Sequence, residues 1–224
     1  MPAFFITATG TDIGKTFVTA ALTEYWRNAG RGVAAIKPVM SGYEDAEAAG
    51  SDAGILLRAL GRTVSTDEIA RIAPWRYRAP LAPDTAAARE GKSLDVDAVI
   101  GFCHDQIDKM EDILLIEGVG GIMAPLDASR TMLDWLTALN IPLVLVGGTY
   151  LGSISHALTA LEVLELANLD VRALAISESL GSGVPLADTV SSLERLGKGV
   201  DIVTLPRGGD AVSGIAALAE LLDA

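Results

Sequence analysis

The chain has 224 residues, half of them hydrophobic, which is enough for one α/β domain with a sizeable buried core. Its formal net charge of −12 excludes a domain that grips nucleic acid through a basic face, and any polyanionic ligand must be held by local lysines, backbone N–H groups or a metal. A single cysteine, Cys103, excludes an intramolecular disulfide, and there is no zinc-ligand spacing, signal peptide or apolar run of membrane-spanning length, so a cytoplasmic protein without membrane contact is expected.

In chain order, residues 4–8 read as a buried strand opening into a loop. Residues 15–29 follow with helical spacing: Val18, Leu22, Tyr25 and Trp26 share a face, and Gly30 ends the helix. Residues 33–39 read as a second strand closed by Pro38. A polar loop over 41–50 leads to a helix over 52–60, with Ser51 as its N-cap. The segment 73–83 holds three prolines and reads as an irregular ordered loop, followed by a helix over 94–110. The apolar runs 113–116, 142–146, 172–176 and 201–205 read as further strands. Helices over 132–139, 153–167, 186–196 and 212–222 separate or flank them. This alternation predicts one domain: a doubly wound, mainly parallel sheet flanked by helices.

The segment Ala8-Thr9-Gly10-Thr11-Asp12-Ile13-Gly14-Lys15-Thr16 joins the first strand to the first helix, the context a P-loop needs. Glycine lets backbone N–H groups turn toward a phosphate, and the helix N-terminus adds unpaired donors and partial positive charge. Lys15 can reach the terminal phosphates and the Thr16 hydroxyl can ligate Mg²⁺. Thr9 stands where the common pattern has its first glycine, so this is a variant loop. Glu117 directly follows the run 113–116 and precedes Gly118-Val119-Gly120-Gly121. At the carboxyl end of a strand it is placed to act as a second metal ligand. Asp52 on its own reads as a first-turn acid that complements the helix dipole. Lys37 ends the second strand and reads either as a second cation on the phosphates or as a surface lysine.

Together these residues resemble dethiobiotin synthetases. The phosphate loop, Lys37-Pro38-Val39-Met40-Ser41-Gly42, Glu117-Gly118-Val119-Gly120-Gly121, Asp134-Trp135 and the stretch 151–157 are similar to that family's signatures, in order, over most of the chain. The resemblance implies ATP- and Mg²⁺-dependent ring closure of 7,8-diaminopelargonic acid with CO₂. One amine takes up CO₂, the carbamate attacks the γ-phosphate to give a carbamic–phosphoric anhydride, and the second amine closes the ring. It implies catalytic roles for Lys15, Lys37 and Thr11. It implies nucleotide contacts at Asp12, Ile13, Gly14, Lys15, Thr16, Phe17, Glu117, Gly118, Gly120, Ser177 and Pro206. The metal ligands would be Thr16, Asp52 and Glu117. The diamine would meet Thr11, Lys37 and Ser41, with Asp12 beside the reacting amines. Its carboxylate would meet the helix start at Leu151, Gly152, Ser153 and Ser155, contributed by the second copy of a homodimer.

Five positions depart from the family pattern. Ala8 replaces a glycine, Asp84 a histidine and Ser155 an asparagine, and Ser177-Glu178 stands where many relatives carry Asn-Asp to read adenine. Cys103 reads as a packed residue, His104 and His156 as surface or structural residues, and Trp75 and Tyr77 as loop packing. The competing function is a partition- or maturation-type P-loop ATPase switch. It would share the loop and the strand-end acid, but not the second and third signatures.

Overall fold

A computed structural model describes residues 2–207 and 211–224. The first half of the chain comprises β1 (Ala3–Ala8), α1 (Lys15–Asn28), β2 (Val33–Ile36), β3 (Val39–Ser41), α2 (Asp52–Ala59), α3 (Thr66–Ile72), β4 (Trp75–Tyr77), α4 (Pro83–Arg89) and α5 (Val96–Lys109). The second half comprises β5 (Ile113–Glu117), α6 (Met132–Leu139), β6 (Leu143–Gly147), α7 (Ser153–Leu166), β7 (Val171–Ser177), α8 (Leu186–Leu196), β8 (Ile202–Leu205) and α9 (Ala211–Asp223).

Six strands form one sheet in the order β2-β5-β1-β6-β7-β8, and every pairing in it is parallel. β1 therefore lies between β5 and β6, and the chain winds away on both sides of it. Ligands of open α/β sheets settle in the crevice at such a reversal, beyond the carboxyl ends of the strands. β1, β5 and β6 are buried along their whole length, as expected of strands covered on both faces.

Aromatic packing locks helices to this centre. Trp26 of α1 stacks on Phe4 with ring centroids 6.3 Å apart, and Trp135 of α6 meets Phe5 edge-on at 5.2 Å. This accounts for Asp134-Trp135: the Asp134 carboxylate accepts the Thr131 N–H at 2.7 Å and caps α6, and Trp135 is buried against β1. Cys103 is likewise packed, and burial pushes its thiol up to about 12.

The chain departs from the sequence reading in the first half. The expected strand 33–39 is two strands: β2 ends before Lys37, and Pro38, which has no N–H to donate, hands the chain to β3 in a separate two-stranded sheet. The partner there is β4, inside the segment read as irregular, with Val39, Met40 and Ser41 opposite Trp75, Arg76 and Tyr77. The polar loop 41–50 contains a 3-10 turn over Asp45–Gly50. α3 and α4 were not anticipated. Ser65 caps α3 by accepting the Glu68 N–H at 3.2 Å, and Pro83 takes the first position of α4.

Candidate active site

The carboxyl ends of β1, β2 and β5 deliver three segments to one place. Gly118 N–H donates to Ile6 O at 3.0 Å and Ile122 N–H to Ala8 O at 3.1 Å, so the loop after β5 is stitched to β1 and the phosphate loop. A side chain at Gly121 would meet the backbone of Thr9 and Gly10 at 3.1 Å, so the two loops pack closely there and a β-carbon would have to push them apart. Asp12 and Gly14 take left-handed backbone, φ 57° and 107°, to turn this loop into the start of α1.

Buried charges occupy the floor. Lys37 is 3% exposed and Glu117 0%. The Lys37 ammonium donates to Glu117 Oε1 at 2.7 Å and to Gly118 O at 2.7 Å, and pairs with Asp52 Oδ2 at 3.2 Å. Burial alone would lower its pKa, but the two carboxylates outweigh it and the pKa is raised, so Lys37 is a fixed cation. Burial would raise the Asp52 pKa; Lys37 reverses this and holds it below the usual carboxylate range. Lys15 lies between the two loops and donates to Gly10 O at 2.9 Å and Gly120 O at 2.8 Å. Its pKa falls to about 8, first through burial and then through the charge on Lys37.

The Thr16 hydroxyl donates to Glu117 Oε1 at 2.7 Å. Glu117 Oε2 is buried without a hydrogen-bond partner among the described residues, as is Ser41 Oγ. A nucleotide and a divalent cation fit this arrangement. A hard cation takes oxygen ligands, and Thr16, Asp52 and Glu117 offer a hydroxyl and two carboxylates around one point, with a buried oxygen still unpaired.

Above the floor is a cavity of about 630 Å³, lined by Thr11, Asp12, Gly14, Lys15, Thr16, Lys37, Ser41, Asp52 and Gly120 among others. Its far wall is Pro80–Pro83, a segment the sequence reading treated only as loop, and Arg207 closes one end. Glu117 and Gly118 lie beneath the cavity and reach it through Lys37 and Thr16. Ile13 is on the wall of a second cavity, of about 480 Å³, next to the phosphate loop. Ser177 packs under Gly14, where a β-carbon would come within 2.8 Å of Ser177 Oγ. Phe17 is half exposed, and neither it nor Pro206 lines the larger cavity. Leu151, Gly152, Ser153 and Ser155 also lie away from it, at the start of α7, with Leu151 93% exposed.

Comparison with known proteins gives the family and the fold. A family model described as an AAA domain matches residues 2–207. The chain is 47% identical to the ATP-dependent dethiobiotin synthetase BioD of Acidiphilium cryptum, over 87% of this chain and 88% of that one. It is 46% identical to the BioD of Methylobacterium nodulans, over 93% of this chain and 95% of that one. The chain belongs to the dethiobiotin synthetase family. Among solved structures it resembles the Pyrococcus furiosus cell division ATPase MinD, with a TM-score of 0.56 and 16% identity over 100% of this chain and 99% of that one. It also resembles MinD from Pyrococcus horikoshii, complexed with Mg-ADP, with a TM-score of 0.56 and 15% identity over 99% of this chain and 96% of that one. At such identities the likeness concerns the fold, that of P-loop ATPases. In this chain the buried Lys37–Glu117 pair lies beside the loop that opens α1.

Proposed function

We infer that this chain is an ATP-dependent cyclo-ligase that converts 7,8-diaminopelargonic acid and CO₂ to dethiobiotin. The observation that carries this reading is the convergence of Lys15, Lys37, Ser41, Asp52 and the phosphate loop on one cavity, with Glu117 directly beneath. A carbamate oxygen is a poor leaving group, so ring closure needs it phosphorylated. One amine of the substrate takes up CO₂, and the carbamate oxygen attacks the γ-phosphorus and displaces ADP. The second amine then attacks the carbamate carbon and phosphate leaves. Lys37, fixed as a cation, stabilises negative charge on the carbamate and the transferring phosphoryl group. Lys15 and the backbone N–H groups of the loop bind the phosphates. Thr11 and Ser41 orient the diamine and its carbamate, and Asp12 sits beside the reacting amines. Mg²⁺, held by Thr16, Asp52 and Glu117, would neutralise charge on the phosphates.

The carboxylate tail of the diamine is read as reaching the start of α7 in a second copy of the chain. The support is that Leu151–Ser155 lie outside the larger cavity of their own chain while Leu151 projects into solvent. A homodimer follows. The base is read by the backbone around Ser177, Glu178 and Pro206. The Glu178 carboxylate accepts the Arg207 N–H at 2.8 Å, so it is engaged with the protein. Turnover with GTP and CTP close to that with ATP is the expected result.

Incubating purified protein with diaminopelargonate, bicarbonate and MgATP should yield dethiobiotin by mass spectrometry, with one phosphate released per ring. ATP hydrolysis without dethiobiotin would overturn the reading and favour an ATPase switch.

A further inference from the structure

α7 is a helix of 14 residues that begins without a side-chain cap: Gly152 stands at its N-cap with φ 98° and no acid occupies its first turn. Ser153 N–H donates to Tyr150 O at 2.9 Å and His156 N–H to Gly152 O at 3.1 Å. Between them, the N–H groups of Ile154 and Ser155 meet no acceptor among the described residues. Ser153 Oγ, in a residue 2% exposed, is buried and also has no partner. Such donors are open at the start of every helix until a cap, water or a ligand takes them up. What spans this turn is one side-chain pair: Tyr150 Oη lies 2.8 Å from His156 Nδ1, with the rings 5.6 Å apart. The upstream end is fastened as well. Thr149 N–H donates to Ser179 Oγ and Ser179 N–H to Thr149 Oγ1, both at 3.0 Å, and Ser182 Oγ donates to Thr149 O.

An ordinary cap would fix this turn with a Ser, Asp or Thr oxygen that takes up the N2 or N3 N–H. Those are the donors an anion at a helix N-terminus needs. A Tyr–His contact across the turn fixes it without consuming a backbone donor. We propose that Tyr150 and His156 are positioning residues: they hold the uncapped start of α7 in shape so that its N–H groups and Ser153 stay available to the carboxylate of the diamine. This rests on the ligase reading above, in which that carboxylate meets the start of α7.

The test is steady-state kinetics at saturating MgATP and bicarbonate, with pelargonate, which has the carboxylate and no amines, as competitive probe. Tyr150→Phe and His156→Ala should each raise the KM for the diamine and the Ki for pelargonate about three- to tenfold, the worth of one hydrogen bond. The kcat and the KM for ATP should stay within about twofold, well inside one hydrogen bond's worth. The double variant should be no worse than either single one, because both remove the same contact. His156→Asn, which keeps a hydrogen-bonding atom near Nδ1, should restore most of the affinity. Unchanged KM and Ki in Tyr150→Phe, additive effects, or a parallel rise in the KM for ATP would each overturn the proposal. Should His156→Ala melt early, Tyr150→Phe decides, since it removes a single oxygen. A wild-type protein that makes no dethiobiotin would sink the ligase reading, whereas wild-type turnover with indifferent variants sinks the brace alone.

Discussion

α1 and α7 begin alike and end up in different electrostatic company. Both have 14 residues, both start after a glycine of φ near 100°, and neither has a side-chain cap or an acid in its first turn. α4 and α8 also lack a side-chain cap but carry an acid in the first turn, and four other helices have both. α2, α3 and α5 are capped by Ser51, Ser65 and Asp95, α6 by its Thr131–Asp134 pair, and all four carry an acid in the first turn. A cap and an acid stabilise a helix start by satisfying the same donors and field that attract an anion. Their omission at α1 and α7 leaves open N–H donors at two helix starts, after the neighbouring strands β1 and β6. They differ in what surrounds them. At α1, Lys15, Lys37, Asp52 and Glu117 crowd the loop, whereas at α7 the residues before and through the first turn, 149–156, include no Lys, Arg, Asp or Glu. A polyanion with its metal requires buried counter-charges; a single carboxylate requires only donors.

The comparison breaks most visibly at Lys37. Lys37→Ala leaves Glu117 buried without its cation, which costs about 3–5 kcal/mol of stability in such pairs. It also removes a fixed charge from the reacting groups, so kcat should fall about a hundred- to a thousandfold. The expected split is loss of turnover with ATP binding largely kept, read by calorimetry beside the assay. Normal kcat with lost ATP binding would contradict the role given to Lys37. No substitution around α7 should approach this effect.

Next is Gly14→Ala. Its φ of 107° disfavours any side chain, and the new methyl would lie 2.8 Å from Ser177 Oγ. Strain of this kind costs on the order of 1–3 kcal/mol, so ATP should bind about ten- to a hundredfold more weakly. Adding Ser177→Gly removes the clash but leaves the backbone strain, so the double variant should recover only part of the loss. Full recovery would show that the left-handed backbone at Gly14 is unimportant.

Most of the scaffold was legible because its signals are local. Continuous apolar runs marked β1, β5 and β6, and 3.6-residue spacing marked α1 and α2. The small β3–β4 sheet was not, because each strand has three residues and the pairing joins Val39 to Trp75 across 36 positions among prolines. α3 carries a readable signal of its own, Ser65 followed three residues later by Glu68. In the site, the strand-end positions of Lys37 and Glu117 followed from sequence, but not their direct contact, which depends on β2 pairing with β5. Asp52 read as a dipole-complementing acid becomes a partner of Lys37 only once α2 packs beside β2. The Tyr150–His156 contact was invisible because a hydrogen bond over six residues across a glycine turn follows neither helical nor strand periodicity.

Lys15 offers a milder perturbation without mutation. Its pKa of about 8 means that it loses its charge at lower pH than an ordinary lysine. A phosphate prefers the charged form, so ATP affinity should hold below pH 8 and decline above it, approaching about tenfold per pH unit until the bound form also titrates. For stability the sign is opposite. The depressed folded pKa means that the folded state carries fewer protons than the unfolded one between about pH 8 and the ordinary lysine value, so this group's contribution to stability improves as pH rises through that window. ATP binding that stays flat to pH 10 would show that Lys15 keeps its proton.

The smallest effect should come from Gly152→Ala, the counterpart of Gly14→Ala. The backbone angles are nearly the same, φ 98° against 107°, but the nearest atom to the new methyl is His156 Cε1 at 3.9 Å, an ordinary contact. Only the left-handed strain remains, worth about 1 kcal/mol, so the KM for the diamine should rise about fivefold while ATP binding stays unchanged. The pair of substitutions therefore separates the two helix starts by what lies behind them. Gly14 is backed by Ser177 at the end of β7, whereas Gly152 meets only His156 at an ordinary distance, and the Tyr150–His156 pair is the side-chain contact across its turn. In a Tyr150→Phe background Gly152→Ala should do less than in the wild type, because a turn already loosened can relax the strained residue. A larger effect there would mean that the turn is held by something other than this pair.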